Sequence, residues 1–218
     1  MEEPGATPEQ HDESVGTIFV PSLPHFHRPG GIVTLGHYYP HSQVESAKGL
    51  LREARGGYDA GAAANTRAVG ENLGWTRLIN ALNAERKWPL KRLFAVLDPI
   101  LEPDIAIAVV PTHIAYQAFW PTRALAQLLA EHDRVDATSC LVRHTTVRRI
   151  TFGGPSTRAL HRQTIRVENP HLIAGKRVML LDDIAKSGVS LIACRELLSG
   201  AGATVVQAMA LGQVVVRG

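Results

Sequence analysis

The chain has 218 residues, 45% hydrophobic and 20% charged, with 23 basic against 20 acidic side chains and a formal net charge of +3. With 19 glycines and 13 prolines, this composition excludes a collagenous, fully disordered or coiled-coil chain. The length suits one α/β domain, or a core with a small appendage. No apolar run reaches the roughly 18–20 residues a membrane helix needs. The acidic start MEEPGATPEQHDE is no secretory signal. Cys140 and Cys194 form no CxxC pair, which excludes a zinc ribbon and points to a reducing, cytoplasmic setting.

Residues 1–30 read as a loose or extended tail. Five acids and no Lys or Arg stand in residues 1–13. His25 and His27 have no third ligand nearby and read as ordinary tail histidines. Ile32–Leu35 reads as a short strand before a HYYPHS loop, residues 42–55 as a helix, and 56–64 as a small-residue connector. A helix is expected from Thr66 to Ala84, with Val69, Leu73, Leu78, Ile79 and Leu82 as its core positions. Another is expected over 89–100.

From 104 the character changes. DIAIAVVP is a continuous apolar run, as in a strand buried on both faces. Pro121 opens a helix, and ATSCLVR is a strand ending at Arg143. Residues 137–167 then carry six arginines and no acid. RVMLLDD is a strand, Ser187–Ser199 a helix stopped by GAGA, TVVQAMAL a strand and QVVVRG a last edge strand. Strands alternating with helices imply a mainly parallel sheet.

The sharpest signal is VMLLDDIAKSGVS, residues 178–190. A buried strand ends in Asp182 and Asp183, and a turn with Ser187, Gly188 and Ser190 leads into a helix. Free backbone N–H groups, the positive helix end and hydroxyls suit an anion such as phosphate. Carboxylates there would accept hydrogen bonds from sugar hydroxyls, directly or through metal-bound water. The alternatives are a solvated strand end for the acids and an ordinary helix cap for the serines. No G-x-x-x-x-G-K-[ST] precedes the strand, which argues against a P-loop.

This segment resembles the fingerprint of the type I phosphoribosyltransferases, in which four apolar residues and two acids precede a hydroxyl-rich Thr-Thr-Gly-x-Thr tail. Here the tail is Lys186-Ser187-Gly188-Val189-Ser190. Lys186 stands where the 6-oxopurine enzymes have an acid. A protonated lysine cannot act as a base toward a purine nitrogen, which argues against hypoxanthine–guanine activity. VVPTH at 109–113 resembles the family's pyrophosphate loop. Arg158-Ala159-Leu160-His161 resembles, with His161 departing, the Arg-x-x-Asn element of the ComF-like or amidophosphoribosyltransferase-related subgroup. The cysteine ribbon usual in ComF proteins is missing. The resemblance spans roughly 104–212.

The resemblance implies a doubly wound, mainly parallel core over 101–218, with a small, mostly helical part over 31–100 packed across its ligand edge. It implies phosphoribosyl pyrophosphate with Mg²⁺ as ligand, and transfer to a nitrogen acceptor with release of pyrophosphate. In that reading Asp182 and Asp183 hold the ribose hydroxyls and, through water, the metal. Ala185, Lys186, Ser187, Gly188, Val189 and Ser190 cradle the 5′-phosphate. Pro111, Thr112, His113 and Arg149 face the pyrophosphate, and Arg148 and Arg158 neutralise the leaving group from a closing loop bent at Gly153-Gly154-Pro155. A homodimer is common in such a family. The alternative is a non-catalytic binder of the same ligand or of a nucleotide, acting as a regulator or a DNA-handling accessory whose arginines contact nucleic acid.

Overall fold

The computed structural model describes residues 18, 31–54, 60–148 and 156–215. The strands are β1 (Ile32–Thr34), β2 (His37–Tyr38), β3 (Ala106–Val109), β4 (Val135–Asp136), β5 (Leu141–Arg143), β6 (Ile165–Val167), β7 (Arg177–Ala185) and β8 (Val205–Val214). The helices are α1 (His41–Ala54), α2 (Ala60–Asn83), α3 (Trp88–Leu97), α4 (Pro121–Ala130), α5 (Arg158–Thr164) and α6 (Val189–Gly200).

The central sheet has the order β1-β8-β7-β3-β4, with β2 also pairing β8, and every pairing in it is parallel. Its central strands are buried on both faces, and their side chains divide alternately between two cores, as a period of two dictates. Ile107, Val109, Met179, Leu181, Met209 and Leu211 face α2, α3 and α4, meeting Leu78, Ile79, Leu93 and Leu125. Ala106, Ala108, Val178, Leu180, Ala208 and Ala210 face α6 and β5–β6, meeting Leu191, Cys194, Leu141 and Ile165. Each fully buried Leu, Ile or Met stabilises the fold by about 1.5–3 kcal/mol. No helix among the described residues is long and apolar enough to cross a membrane.

Four expectations are corrected. The strand ending LVR does not join the parallel sheet. β5 pairs antiparallel with β6 in a separate ribbon, because a turn over 138–140, closed by Thr138 N–H on Asp136 Oδ1 and Cys140 N–H on Ala137 O, redirects the chain after β4. The stretch after Arg143 is not loop throughout: α5 forms within it, capped by Thr157, whose hydroxyl accepts from Leu160 N–H. Of QVVVRG, Gln213 and Val214 belong to β8, which runs unbroken to Val214 between β7 and the β1–β2 pair, and residues 216–218 lie outside the described residues.

The fourth concerns residues 31–100. They do not sit only over the ligand edge. β1 is a strand of the central sheet, and α2 and α3, together with α4, cover one face of it. Part of the small-residue connector is the first turns of α2. Val69 and Leu73 are half-buried, so the core positions of α2 are Leu78, Ile79 and Leu82.

Candidate functional site

β3 and β7 are neighbours in register, Val109 opposite Leu181, and Val110 N–H donates to Leu181 O at 2.9 Å. The chain leaving β3 enters α4 on one face, whereas the chain leaving β7 enters α6 on the other. Parallel neighbours whose continuations diverge leave a crevice at their carboxyl ends, where open α/β sheets bind ligands. A cavity of about 320 Å³ lies there, lined by residues that include Asp182, Asp183, Thr112, His113, Asn83 and Glu85.

The two acids have different surroundings. Asp182 accepts from the Ser190 hydroxyl on α6 at 3.4 Å and from Asp183 N–H at 3.0 Å. Burial, and then the charge of Asp183, hold its carboxyl well above the usual carboxylate range. Asp183 accepts from Asn83 Nδ2 at the end of α2, at 2.7 Å, and from Ile184 N–H at 2.8 Å. Tyr38 on β2 donates to Asn80 Oδ1 at 2.8 Å, and burial followed by the charge of Asp183 raises its phenol above the usual value.

Beyond β7 the chain turns at Gly188, which has φ +71°, and α6 starts with no side-chain cap. The serines therefore do not cap it: Ser190 serves Asp182 instead. A Cβ at Gly188 would lie 2.3 Å from Ile32 Cδ1, so this turn packs directly on β1. Ala185 is buried, Val189 half-buried, and Lys186 and Ser187 are exposed. The carbonyl of Lys186 accepts from Gln213 Nε2 at 3.0 Å. Residues 185–190 do not line the cavity; they follow the acids along the same sheet edge.

The other wall is built on an arginine that sequence reasoning did not place in the site. Arg143, 3% exposed, donates through Nε to Thr112 O, through Nη1 to Thr164 Oγ1 at 2.6 Å and through Nη2 to His161 Nδ1 at 3.3 Å. His161 Nδ1 is thus an acceptor, which puts the ring proton on Nε2, 3.4 Å from Ser156 Oγ. Burial and then Arg143 depress the His161 pKa. Three further bonds stitch the stretch after β5 to the stretch after β3: Tyr116 N–H to Arg143 O, Val147 N–H to His113 O and Ala115 N–H to Thr146 Oγ1, each 2.9 Å.

The arginine run is not one bare basic face. Arg143 is buried, Arg158 pairs with Glu196 on α6 at 3.2 Å, and Arg166 pairs with Glu168 at 2.7 Å. Arg148 is exposed, and neither it nor Arg158 lines the cavity. Arg149, Gly153, Gly154, Pro155, His25 and His27 lie outside the described residues.

Residues 108–213 match the phosphoribosyl transferase domain family. The match starts inside β3 and ends near the end of β8, so it takes in both Thr112–His113 and Asp182–Ser190. It does not identify a ComF-like or amidophosphoribosyltransferase-related subtype. Similar solved structures include a phosphoribosylpyrophosphate synthetase from Mycobacterium smegmatis, 15% identical over 63% of this chain and 34% of that one, with a TM-score of 0.33. Another is a purine phosphoribosyltransferase from Pyrococcus horikoshii Ot3, 15% identical over 65% of this chain and 85% of that one, with a TM-score of 0.32. The chain spans about a third of the length of the synthetase. No curated protein matches.

The site residues missed in the sequence are Asn83, Glu85, Trp120 and Arg143. Asn83 meets Asp183 across 100 positions, which no local pattern signals. Arg143 was visible as the end of an apolar strand, and a charge placed there is a hint of burial with a purpose.

Proposed function

We propose that the cleft binds phosphoribosyl pyrophosphate with Mg²⁺ and transfers the phosphoribosyl group to a nitrogen acceptor, releasing pyrophosphate. The observation that carries this reading is the crevice between β3 and β7, in which the acid pair faces Thr112–His113 within the segment matched to the phosphoribosyl transferase domain family.

In this reading Asp182 and Asp183 accept hydrogen bonds from the two ribose hydroxyls, each acid already steadied by a neutral donor, Ser190 or Asn83. The uncapped N–H groups over 187–190 hold the 5′-phosphate. Pro111, Thr112 and His113 face the diphosphate. The donor set fits a divalent cation held largely by ligand oxygens and water. Two adjacent carboxylates strain one another, yet no group of three or more His, Cys, Asp or Glu able to hold a metal occurs among the described residues. The cation would neutralise charge on the diphosphate. The acceptor nitrogen forms the N–C1′ bond as the C1′–O bond breaks, its electron pair leaves on pyrophosphate, and the nitrogen sheds its surplus proton to water. The protein's part is positioning and charge stabilisation.

Arg148, Arg149 and Arg158 would close over the leaving group. Arg158 would first leave Glu196, an exposed pair that costs less than about 1 kcal/mol to break. Such closure should slow protease cutting between 144 and 160 once ligand and Mg²⁺ are added; equal cutting with and without them would count against it.

The decisive experiment is calorimetric titration with phosphoribosyl pyrophosphate and Mg²⁺, beside a pyrophosphate-release assay with a panel of amines and bases. Asp183→Asn should weaken binding by about tenfold or more, the worth of a charge-assisted hydrogen bond. Unchanged affinity would remove the reading.

A further inference from the structure

A second cavity, of about 490 Å³, lies away from the cleft in a groove between α2 and α3. Gly74, Trp75 and Arg77 line it from α2, and Trp88 and Arg92 from α3. No residue lines both this groove and the cleft. Small-ligand sites run from about 300 to 1,000 Å³, so the groove is large enough for one.

A glycine keeps it open. Gly74 stands inside α2, where glycine is a poorer helix former than alanine. A Cβ added there would meet nothing within 4 Å, so the missing side chain leaves free space. The neighbouring Trp75 is backed by the turn between β1 and β2, since a Cβ at Gly36 would lie 3.1 Å from Trp75 Cδ1. Trp88 is 49% exposed, although tryptophan is well buried on average.

The charge on the groove is positive. Arg77 and Arg92 have no carboxylate partner among the described residues. Glu71, the one acid lining the groove, pairs with Arg67 at 3.4 Å. Residues 86–92 carry Arg86, Lys87, Lys91 and Arg92 and no acid. α3 starts within that stretch with no acid in its first turn and no side-chain cap, so its positive end adds to the field.

We propose that this groove is a second binding site, for a small aromatic anion: a planar ring bearing a phosphate, of mononucleotide size. The ring lies against the indoles of Trp75 and Trp88, and the phosphate is received by the guanidinium forks of Arg77 and Arg92. Each half of the groove calls for one half of this ligand. A bare anion would leave two indoles uncovered, and an uncharged ring would leave two arginines without a counter-charge. The proposal does not depend on the transferase reading.

The chain's three tryptophans report the position of a ligand, because Trp75 and Trp88 line the groove and Trp120 lines the cleft. The test is an NMR titration of the isotope-labelled full chain with AMP, followed at the indole N–H signals. The signals of Trp75 and Trp88 should move and saturate while that of Trp120 stays. Adenosine and inorganic phosphate should each bind more weakly by about tenfold or more, and Arg77→Gln and Arg92→Gln should each weaken AMP by about fivefold or more. Gly74→Leu fills the groove with a better helix former, so it should abolish the shifts without lowering the thermal midpoint. Unmoved Trp75 and Trp88 signals, movement at Trp120 alone, adenosine bound as tightly as AMP, or an affinity untouched by Gly74→Leu overturns the proposal. So does a dimer in analytical ultracentrifugation that Trp88→Ala dissociates, which would give the groove to a second copy of the chain.

Discussion

In the fold Asp182 is more stable as the neutral acid than as the carboxylate. Its folded pKa lies above its unfolded value, so its favourable contribution is present below the ordinary carboxylate range and is lost as pH rises through the folded value. Asp182→Asn should therefore unfold at a higher urea concentration than the native chain at pH 8, with the gap closing toward pH 4, while ligand binding is lost. A lower midpoint for the variant at pH 8 would refute this. His161 has the opposite sign. Its pKa is depressed, so its contribution is present above the usual histidine value of about 6.5 and is lost as pH falls through the folded value. Protonation would set an N–H of His161 against an N–H of Arg143. Urea midpoints measured downward from pH 7 should fall for the native chain and fall less for His161→Asn. Lys186, exposed and engaged through its carbonyl alone, should tolerate change: Lys186→Thr should alter affinity for phosphoribosyl pyrophosphate less than threefold, with the same salt dependence. Burial pushes the Cys140 thiol to about 11 and the Cys194 thiol higher still, so both should stay inert to alkylation in the folded chain.

The elements that sequence made legible are those whose pattern is local. β7 could be read because a strand buried on both faces is an unbroken apolar run, and its acids stood out because the run ends on them. β3, α4 and α6 were legible for the same kind of reason. The ribbon of β5 and β6 was not, because three-residue strands carry too little pattern to show their partner, and α5 was hidden by arginines that suggested loop. What escaped altogether was contact at a distance: Asn83 on Asp183, and Arg143 on Thr112 and His161. Arg143 joins three segments, the turn after β3, the strand β5 and the helix α5, without a carboxylate partner among the described residues. Arg143→Met would leave Thr112 O, Thr164 and His161 without their donor. We expect a loss of about 2–4 kcal/mol in urea denaturation, from several hydrogen bonds to a charged group, together with weaker diphosphate binding. A change below about 0.5 kcal/mol would show that the strut bears no load. At the turn before α6, Gly188→Ala forces a side chain into a left-handed conformation and against Ile32. It should cost about 1–3 kcal/mol, read as a lower thermal midpoint.

At the scale of the whole molecule, the expectation of a core over 101–218 with residues 31–100 packed across its ligand edge meets a sheet that needs both parts of the chain. Removing residues 1–100 would uncover part of the face formed by Met179, Leu181, Met209 and Leu211, which α2 and α3 share with α4. The fragment should be aggregation-prone, bind a hydrophobic dye and lack a cooperative thermal transition; a sharp transition would restore the smaller core. The same geometry orders events in time. β1 and β8 are the first and last strands in the described sequence and lie side by side, Ile32 opposite Ala208. During synthesis at about 5–20 residues per second, β1 waits on the order of ten seconds for β8, and the faces of α2 and α3 meet β3 early but β7 and β8 only later. The nascent chain thus carries an open strand edge and partly uncovered apolar helix faces from the emergence of β1 until β8 clears the ribosome. Cellular yield should then depend on what shelters that interval. Depleting nascent-chain chaperones should push newly made protein into the insoluble fraction, while leaving protein already folded unaffected.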